Sequence, residues 1–120
     1  METKRIGDMA QEYGIPMVLH QAGSPVVAMA NVHCAAATEG FVALEMHSVD
    51  LSWWEDLVLS PVKPIVDKGY IQVPDTPGLG IELNELVVQE HLNGPEPALN
   101  GFFKKTDQWN LLDSNDRLWS

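Results

Sequence analysis

Two histidines and one glutamate lie within or directly after two short apolar segments whose composition predicts strands. His20 comes directly after the apolar residues 15–19, while Glu45 lies within residues 41–46 and His47 follows them. Side chains alternate along a strand, so Glu45 and His47 share one face of theirs. Active sites of parallel α/β proteins form at the carboxyl ends of strands. We therefore expect His20 and Glu45 to lie within reach of one small molecule, where an imidazole and a carboxyl can transfer protons.

The same residues allow structural and metal-binding interpretations. A histidine at a strand end is more often structural than catalytic, whereas a glutamate within an apolar strand is costly unless it is paired or kept for function. Glu45-x-His47 and His20 could also supply three metal ligands. That spacing is unspecific and no fourth ligand is evident, so we assign no metal ligand to the chain. We interpret His33 and Cys34, which lie among alanines, as packing residues.

The elements that must position these side chains alternate between helix and strand. The predicted elements are helices over residues 3–13 and 25–37, and strands over residues 15–19 and 41–46, the strands being buried on both faces. Ser24-Pro25 is a typical helix start, and the helix that follows is apolar nearly all round, which predicts packing on more than one side. The short connections indicate parallel neighbouring strands.

Beyond residue 47 the pattern changes. The predicted elements there are a loop or short helix with Trp53 and Trp54, a strand over residues 68–73, a Pro/Gly loop over residues 74–80, and a helix from Asn84 to about Leu92. The two tryptophans could anchor an interface, although packing beneath a loop is the simpler interpretation. Residues 93–120 carry few periodic apolar positions, which predicts an extended tail held by aromatic side chains.

The composition narrows the possible function classes. The chain has 120 residues, of which 17 are acidic and 7 basic, for a net charge of −10. That charge disfavours binding to nucleic acid or to anionic membrane surfaces, and the apolar runs are too short to span a bilayer. The single cysteine, Cys34, excludes an internal disulfide framework. We expect one soluble, cytoplasmic domain with no nucleic-acid or membrane partner.

Several segments together resemble the mandelate racemase subgroup of the enolase superfamily. They are AQEYGIP at residues 10–16 running into His20, Ser24-Pro25, the Ala/His-rich residues 28–37, and Leu44-Glu45. Residues 69–81, which include PDTPGLGI, resemble the segment that returns to that family's capping domain. The resemblance implies an α/β fold, the C-terminal portion of a TIM (β/α)8 barrel of enolase C-terminal-domain type with the last two strands present. Residues 1–60 would be βα units of the barrel, 61–92 the returning segment and 93–120 the tail.

The resemblance also implies site roles. The family removes a proton α to a carboxylate and stabilises the enediolate on Mg²⁺. His20 would be the general acid/base, and Glu45 would hydrogen-bond the substrate carboxylate, with its pKa raised by an apolar barrel mouth. Gln21 and His47 would contact substrate. The family's acidic metal ligands and the aspartate that orients its histidine lie on strands that this chain does not match, so we expect no tight Mg²⁺ binding and no activity from the chain alone.

Two functional hypotheses remain open at this point. The chain is either the C-terminal part of an acid-sugar dehydratase or racemase, or a non-catalytic module that assembles through exposed barrel edges. Polar Gln21, Ser48 and Asp50 favour dehydration of a hydroxylated carboxylic acid over racemisation. An uninterrupted reading frame upstream of Met1 would favour the enzyme. In either case unpaired strand edges predict a homo-oligomer, and a small carboxylate would be the substrate of the complete enzyme.

Overall fold

The computed structural model describes residues 2–48 and 50–91. The chain divides into two compact units, Met1–Val88 and Gln89–Ser120. The secondary structure of the described residues lies in the first unit, apart from the C-terminal end of the last helix. The predicted tail, residues 93–120, lies outside the described residues, and the predicted division at residues 60 and 92 stays a prediction.

The helix–strand alternation predicted for the first half is confirmed. Its elements, in chain order, are α1 (Glu2–Glu12), β1 (Met17–Leu19), α2 (Pro25–Ala36) and β2 (Phe41–Leu44). Gly14 ends the first helix with a positive φ of 65°, a conformation that glycine adopts without a Cβ penalty. Ser24 precedes α2 as its N-cap with Pro25 at the first helical position, although the serine hydroxyl makes no capping hydrogen bond. The first turn of α2 is instead closed by its backbone, through Ala28 N–H to the Ser24 carbonyl at 3.0 Å.

Strands β1 and β2 form a parallel two-stranded sheet. Leu19 pairs with Leu44, and an irregularity between Met17 and Val18 shifts the register near the start of the sheet. The prediction that these strands are buried on both faces is wrong, since Val18 and Val42 are largely exposed. The physical reason is that a two-stranded sheet with one helix on it leaves its other face open.

The core lies where α2 meets the sheet and the segment after β2. Its buried members are Ala28, Met29, Val32, Trp54, Val58 and Ile65. Buried positions on α2 recur at helical spacing and define a single stripe, while Val27 on another side of the helix is exposed. The predicted packing of α2 nearly all round is therefore wrong, because within the described residues the side of the helix that carries Val27 and Ala30 is left exposed.

The second half is mostly irregular; the predicted loop over residues 74–80 and the predicted helix after Asn84 are confirmed, whereas the predicted strand is not. It contains a 3₁₀ turn (Glu55–Leu57), an antiparallel pair formed by β3 (Val58–Leu59) and β4 (Glu82–Leu83), and the helix α3 (Glu85–Glu90). The predicted strand over residues 68–73 is a tight turn, because Lys68 and Gly69 both have positive φ and Asp67 bridges Tyr70. The Glu55 carboxylate orders the loop above the core by accepting the Ile65 N–H at 2.8 Å.

None of the helices in the described part of the chain combines the length and the hydropathy needed to span a bilayer.

Candidate active site

Backbone hydrogen bonds beyond the two strands bring the predicted site residues together. The Glu45 N–H donates to the Leu19 carbonyl at 2.9 Å, and the His47 N–H donates to the Gln21 carbonyl at 3.2 Å. The parallel ladder thus continues past the ends of the two strands. His20 lies between Leu19 and Gln21, the two residues whose carbonyls accept these hydrogen bonds. The strand-end placement predicted for His20 and Glu45 follows from this ladder and from the alternation of side chains along it.

The side chains of His20, Glu45 and His47 form one cluster. His20 Nδ1 lies 2.6 Å from Glu45 Oε2, and His47 Nε2 lies 3.6 Å from the same oxygen. The two imidazole rings have centroids 5.5 Å apart and are inclined by 50°. The cluster is open to solvent, with the side chain of His20 73% exposed and that of Glu45 45% exposed. An imidazole oriented by a carboxylate in this way can take up or release a proton at its other nitrogen.

The electrostatics of Glu45 are opposite to the sequence expectation. The hydrogen bond with His20 is the main reason why the pKa of Glu45 lies below its ordinary value, and desolvation opposes this shift without reversing it. The charge of the nearby imidazoles lowers the pKa of the carboxyl further. The expected rise assumed an apolar barrel mouth around Glu45, whereas its side chain is open to water and hydrogen-bonded. Glu45 is therefore an ionised acceptor in this structure.

The loop that follows His20 is fixed from beneath by two buried side chains. Gln21 Nε2 donates to the Gly23 carbonyl at 3.1 Å and to the Ser24 carbonyl at 3.4 Å. The indole Nε1 of Trp54 donates to the same Gly23 carbonyl at 3.0 Å, and Trp54 is only 2% exposed. A carbonyl with two side-chain donors holds the loop in one position, so the strand end that carries His20 rests on a rigid support.

Gln21, a predicted substrate ligand, has its side chain inside the protein. It is 1% exposed, and its amide nitrogen is committed to the loop carbonyls, while its Oε1 has no hydrogen-bond partner in the structure. Of the other polar residues that favoured a polyol substrate, Ser48 is buried and Asp50 is exposed. His47 is placed in the cluster beside Glu45. Substrate contact by Gln21 and His47 stays a prediction.

Two further residues support the strand end that carries His20; packing of the adjacent tryptophans beneath a loop was the simpler interpretation of the sequence, whereas Asn31 was not singled out. Asn31 on α2 donates from its Nδ2 to the His20 carbonyl at 3.3 Å, which ties the helix to the strand end. Trp54 anchors the loop after His20 rather than an interface. The adjacent tryptophans were visible in the sequence, but only the fold shows which of them turns inward. Nothing in the spacing of Asn31 marks it, because its partner is a backbone carbonyl.

Comparison with known proteins identifies the family of the chain. The family model described as enolase C-terminal domain-like matches residues 1–87. The chain belongs to this family. Its membership confirms the predicted resemblance to the mandelate racemase subgroup and the predicted α/β fold of enolase C-terminal-domain type.

Named proteins are similar to about three quarters of the chain. A D-xylonate dehydratase of Haloferax volcanii is 41% identical over 91 residues, covering 76% of this chain and 22% of that protein. An arabinonate dehydratase of Saccharolobus solfataricus is 30% identical over 90 residues, 75% of this chain and 23% of that protein. The crystal structure of a mandelate racemase/muconate lactonizing enzyme-like protein from Rubrobacter xylanophilus superposes with a TM-score of 0.75 at 40% identity, covering 78% of this chain and 24% of that one. The chain thus spans about a quarter or less of the relatives it matches.

The Mg²⁺ that the enolase superfamily implies does not fit the cluster. Across residues 2–48 and 50–91, the one group of three or more His, Cys, Asp or Glu side chains whose ligand atoms converge is His20, Glu45 and His47. Two of its three ligands are imidazole nitrogens, whereas Mg²⁺ is held by oxygen ligands in near-octahedral geometry. The described residues therefore contain no converging group of side chains suited to Mg²⁺.

Proposed function

We propose that this chain contributes the proton-transfer groups of an acid-sugar dehydratase of the enolase superfamily. The observation that carries the proposal is the contact between His20 Nδ1 and Glu45 Oε2, 2.6 Å long, at the adjoining ends of two parallel strands. Family membership and the similarity to proteins named D-xylonate and arabinonate dehydratase support acid sugars as the substrate class.

We infer different tasks for His20 and Glu45 in this reaction. Because Glu45 is ionised and accepts a hydrogen bond at Oε2, the proton between the two side chains resides on His20 Nδ1. The lone pair of the neutral imidazole is then on Nε2, which is the nitrogen that can receive a proton from a substrate. Glu45 fixes the orientation of the ring and stabilises the imidazolium that proton uptake produces, as a carboxylate does for a histidine base elsewhere.

Loss of water from a hydroxylated carboxylic acid needs proton transfer at two positions. The proton α to the carboxylate must be removed, and the departing β-hydroxyl must be protonated so that it leaves as water. An imidazole at His20 Nε2 can receive a proton in the first event or donate one in the second, and the exposure of the ring leaves it open to a ligand. The contact with the substrate carboxylate that the resemblance implies for Glu45 stays a prediction.

A chimaeric enzyme tests the proposal without requiring the chain to act alone. Residues 1–91 would replace the matching segment of the Haloferax volcanii D-xylonate dehydratase, and the product would be assayed for dehydration of aldonic acids and for racemisation in parallel. We expect dehydration at a rate well above that of the same enzyme lacking the segment. A folded chimaera that only racemises its substrates, or that has no activity although the relative does, would overturn the proposal.

A further inference from the structure

An uncharged groove runs along the outer edge of β2. It has a volume of about 540 Å³ and lies between α2, β2 and the turn that carries Tyr70, and none of the described residues that line it is charged. The consecutive residues 41–44 all line it, although alternate side chains of a strand point to opposite faces, so this β2 groove follows the edge of the strand. The other edge of β2 pairs with β1. Within the described residues, the edge at the groove therefore has no neighbouring strand.

The opposite side of the same sheet carries an apolar helix face beside a second open edge. Three residues of α1 and its C-terminal end, Ile6, Met9 and Tyr13, recur at helical spacing and form an exposed α1 stripe. Ile15 and Val18, on the segment that leads into β1 and on β1 itself, are also largely exposed. The chain thus presents an apolar groove with a free strand edge on one side, and an apolar helix with a free strand edge on the other.

The order of helix and strand determines what fits the β2 groove. α1 leads into β1 through residues 13–16, as α2 leads into β2 through residues 37–40. α2 packs on the sheet through a cluster that contains Val32 and Leu44. A further parallel strand beside β2, with its preceding helix on the same face as α2, would lay that helix over the groove. We propose that the β2 groove of one copy of this chain binds the α1–β1 segment of a second copy, in a head-to-tail contact that extends the parallel sheet.

The area available is sufficient for a specific contact. Taking roughly 200 Å² for a large side chain that is fully exposed, the α1 stripe together with Ile15 and Val18 leaves about 600 Å² open in each copy. Val42 and Tyr70 on the groove side are likewise largely exposed. Covering the open surface with an equal area of groove buries about 1,200 Å², above the roughly 1,000 Å² expected of a specific interface. Because the residues on both sides are uncharged, the contact leaves none of them as a buried charge.

The geometry of the contact determines the number of copies. A head-to-tail interface uses different surfaces on its two sides, so it either closes into a ring or continues as a filament. Each copy contributes the two strands of its parallel sheet, and eight strands close a parallel β/α barrel. Four copies therefore form a closed ring in which no β1 or β2 edge is left open. This assembly does not rest on the proposed dehydratase function.

Size-exclusion chromatography with light scattering tests the contact on the 120-residue chain. We expect a tetramer that dissociates on dilution and is favoured by added salt, since salt screens the repulsion between copies of net charge −10. Met9→Lys in the stripe and Ala36→Lys in the groove should each raise the concentration for half-assembly at least about 10-fold, because each places a charge in an apolar contact. Ala30→Lys is the matched control, because Ala30 is also an exposed alanine of α2 but does not line the groove. Circular dichroism verifies that each variant is folded.

Mixing the two variants separates a head-to-tail contact from a symmetric one. The Met9→Lys chain keeps an intact groove and the Ala36→Lys chain keeps an intact stripe. Their equimolar mixture should therefore form a complex of one chain of each kind at concentrations where neither variant associates alone. Absence of this complex, or association that Ala36→Lys abolishes and Met9→Lys leaves unchanged, would indicate groove-to-groove contact and overturn the proposal.

Two further results would also overturn it. Equal weakening by Ala30→Lys would indicate unspecific association driven by charge. A chain that stays monomeric at every concentration would assign the groove to a different polypeptide, such as the barrel segments that this chain does not span. Because the readout is the mass of the assembly, failure of the contact leaves the dehydratase assay of the chimaera unaffected.

Discussion

Replacing Trp54 with phenylalanine should loosen the support of the candidate site. The indole Nε1 donates to the Gly23 carbonyl at 3.0 Å, and the side chain is 2% exposed within the core. The loss of one hydrogen bond contributes about 1 kcal/mol, and roughly 40 Å² less buried ring surface contributes about another 1 kcal/mol at about 25 cal/mol per Å². We expect Trp54→Phe to lower the free energy of unfolding by about 2 kcal/mol in total, well below the roughly 3–5 kcal/mol expected for Trp54→Ala.

Urea unfolding followed by far-ultraviolet circular dichroism measures this change, since tryptophan fluorescence is altered by the substitution itself. Measurement at two protein concentrations separates stability from self-association. Trp53→Phe is the matched control: the neighbouring residue is only half-buried and lies outside the core cluster, so its replacement should cost less. Equal losses for the two variants, or no loss for Trp54→Phe, would refute the assignment of Trp54 as the buried anchor.

Amide hydrogen exchange provides a second, local readout of the same variant. The His47 N–H donates to the carbonyl of Gln21, the first residue of the anchored loop. The Glu45 N–H donates to Leu19, which lies inside β1. Weakening the loop should therefore speed exchange at His47 more than at Glu45. Uniform acceleration at both amides would show that Trp54 contributes to global stability and not to the position of the loop.

The remaining predictions concern charge, packing and assembly. The Glu45 carboxyl should titrate below its ordinary pKa of 4.5. Its stabilising pair with His20 is therefore complete above pH 4.5 and is lost as the pH falls through the lowered pKa. His20→Asn should raise the pKa of Glu45 towards 4.5, measured by carbon-detected NMR, and an unchanged pKa would contradict the pairing. Gly7→Ala places a Cβ 2.8 Å from Thr38 Cγ2. The Thr38 side chain cannot easily move away, because its hydroxyl donates a hydrogen bond to the Cys34 carbonyl of α2. The cost of overpacking, about 1–3 kcal/mol, should therefore exceed the gain in helix propensity of about 1 kcal/mol, and a higher free energy of unfolding in urea would contradict this. The open faces of the β1–β2 sheet should cause self-association, which light scattering of the isolated chain measures, and a compact, cooperatively melting monomer would contradict it.

The first half of the fold could be predicted because its signals are local. Ser24-Pro25 determines where α2 begins, and Gly14 ends the helix before β1, both through backbone geometry that a sequence reveals directly. The alternation of side chains then places His20 and Glu45 at neighbouring strand ends. Alternation does not reveal the environment of those strand ends. The predicted rise in the pKa of Glu45 is wrong for this reason, because the carboxyl is exposed to water and lies beside an imidazole rather than in an apolar barrel mouth.

The strands of the second half were predicted wrongly because their pairing depends on long-range contacts. The β3–β4 pair joins residues 58–59 to residues 82–83, and neither segment has the length or alternation of a typical strand. The predicted strand over residues 68–73 carries β-forming residues, yet Lys68 and Gly69 adopt positive φ and turn the chain. The hydrogen bond by which Trp54 anchors the loop after His20 joins positions 31 residues apart. Interactions of this kind leave no periodic pattern in the sequence.

The most direct test of the proposed function is His20→Asn in the chimaera with the Haloferax volcanii D-xylonate dehydratase. Asparagine keeps a similar size and hydrogen-bonding capacity but cannot carry a proton at neutral pH. General acid/base groups contribute about 10²–10⁴-fold to the rate, so we predict that His20→Asn lowers kcat for dehydration at least about 100-fold. The control His91→Asn in the same chimaera should leave kcat unchanged. Both variants should melt at the temperature of the unsubstituted chimaera. Dehydration at the full rate in a folded His20→Asn chimaera would remove His20 from the mechanism and contradict the proposed function.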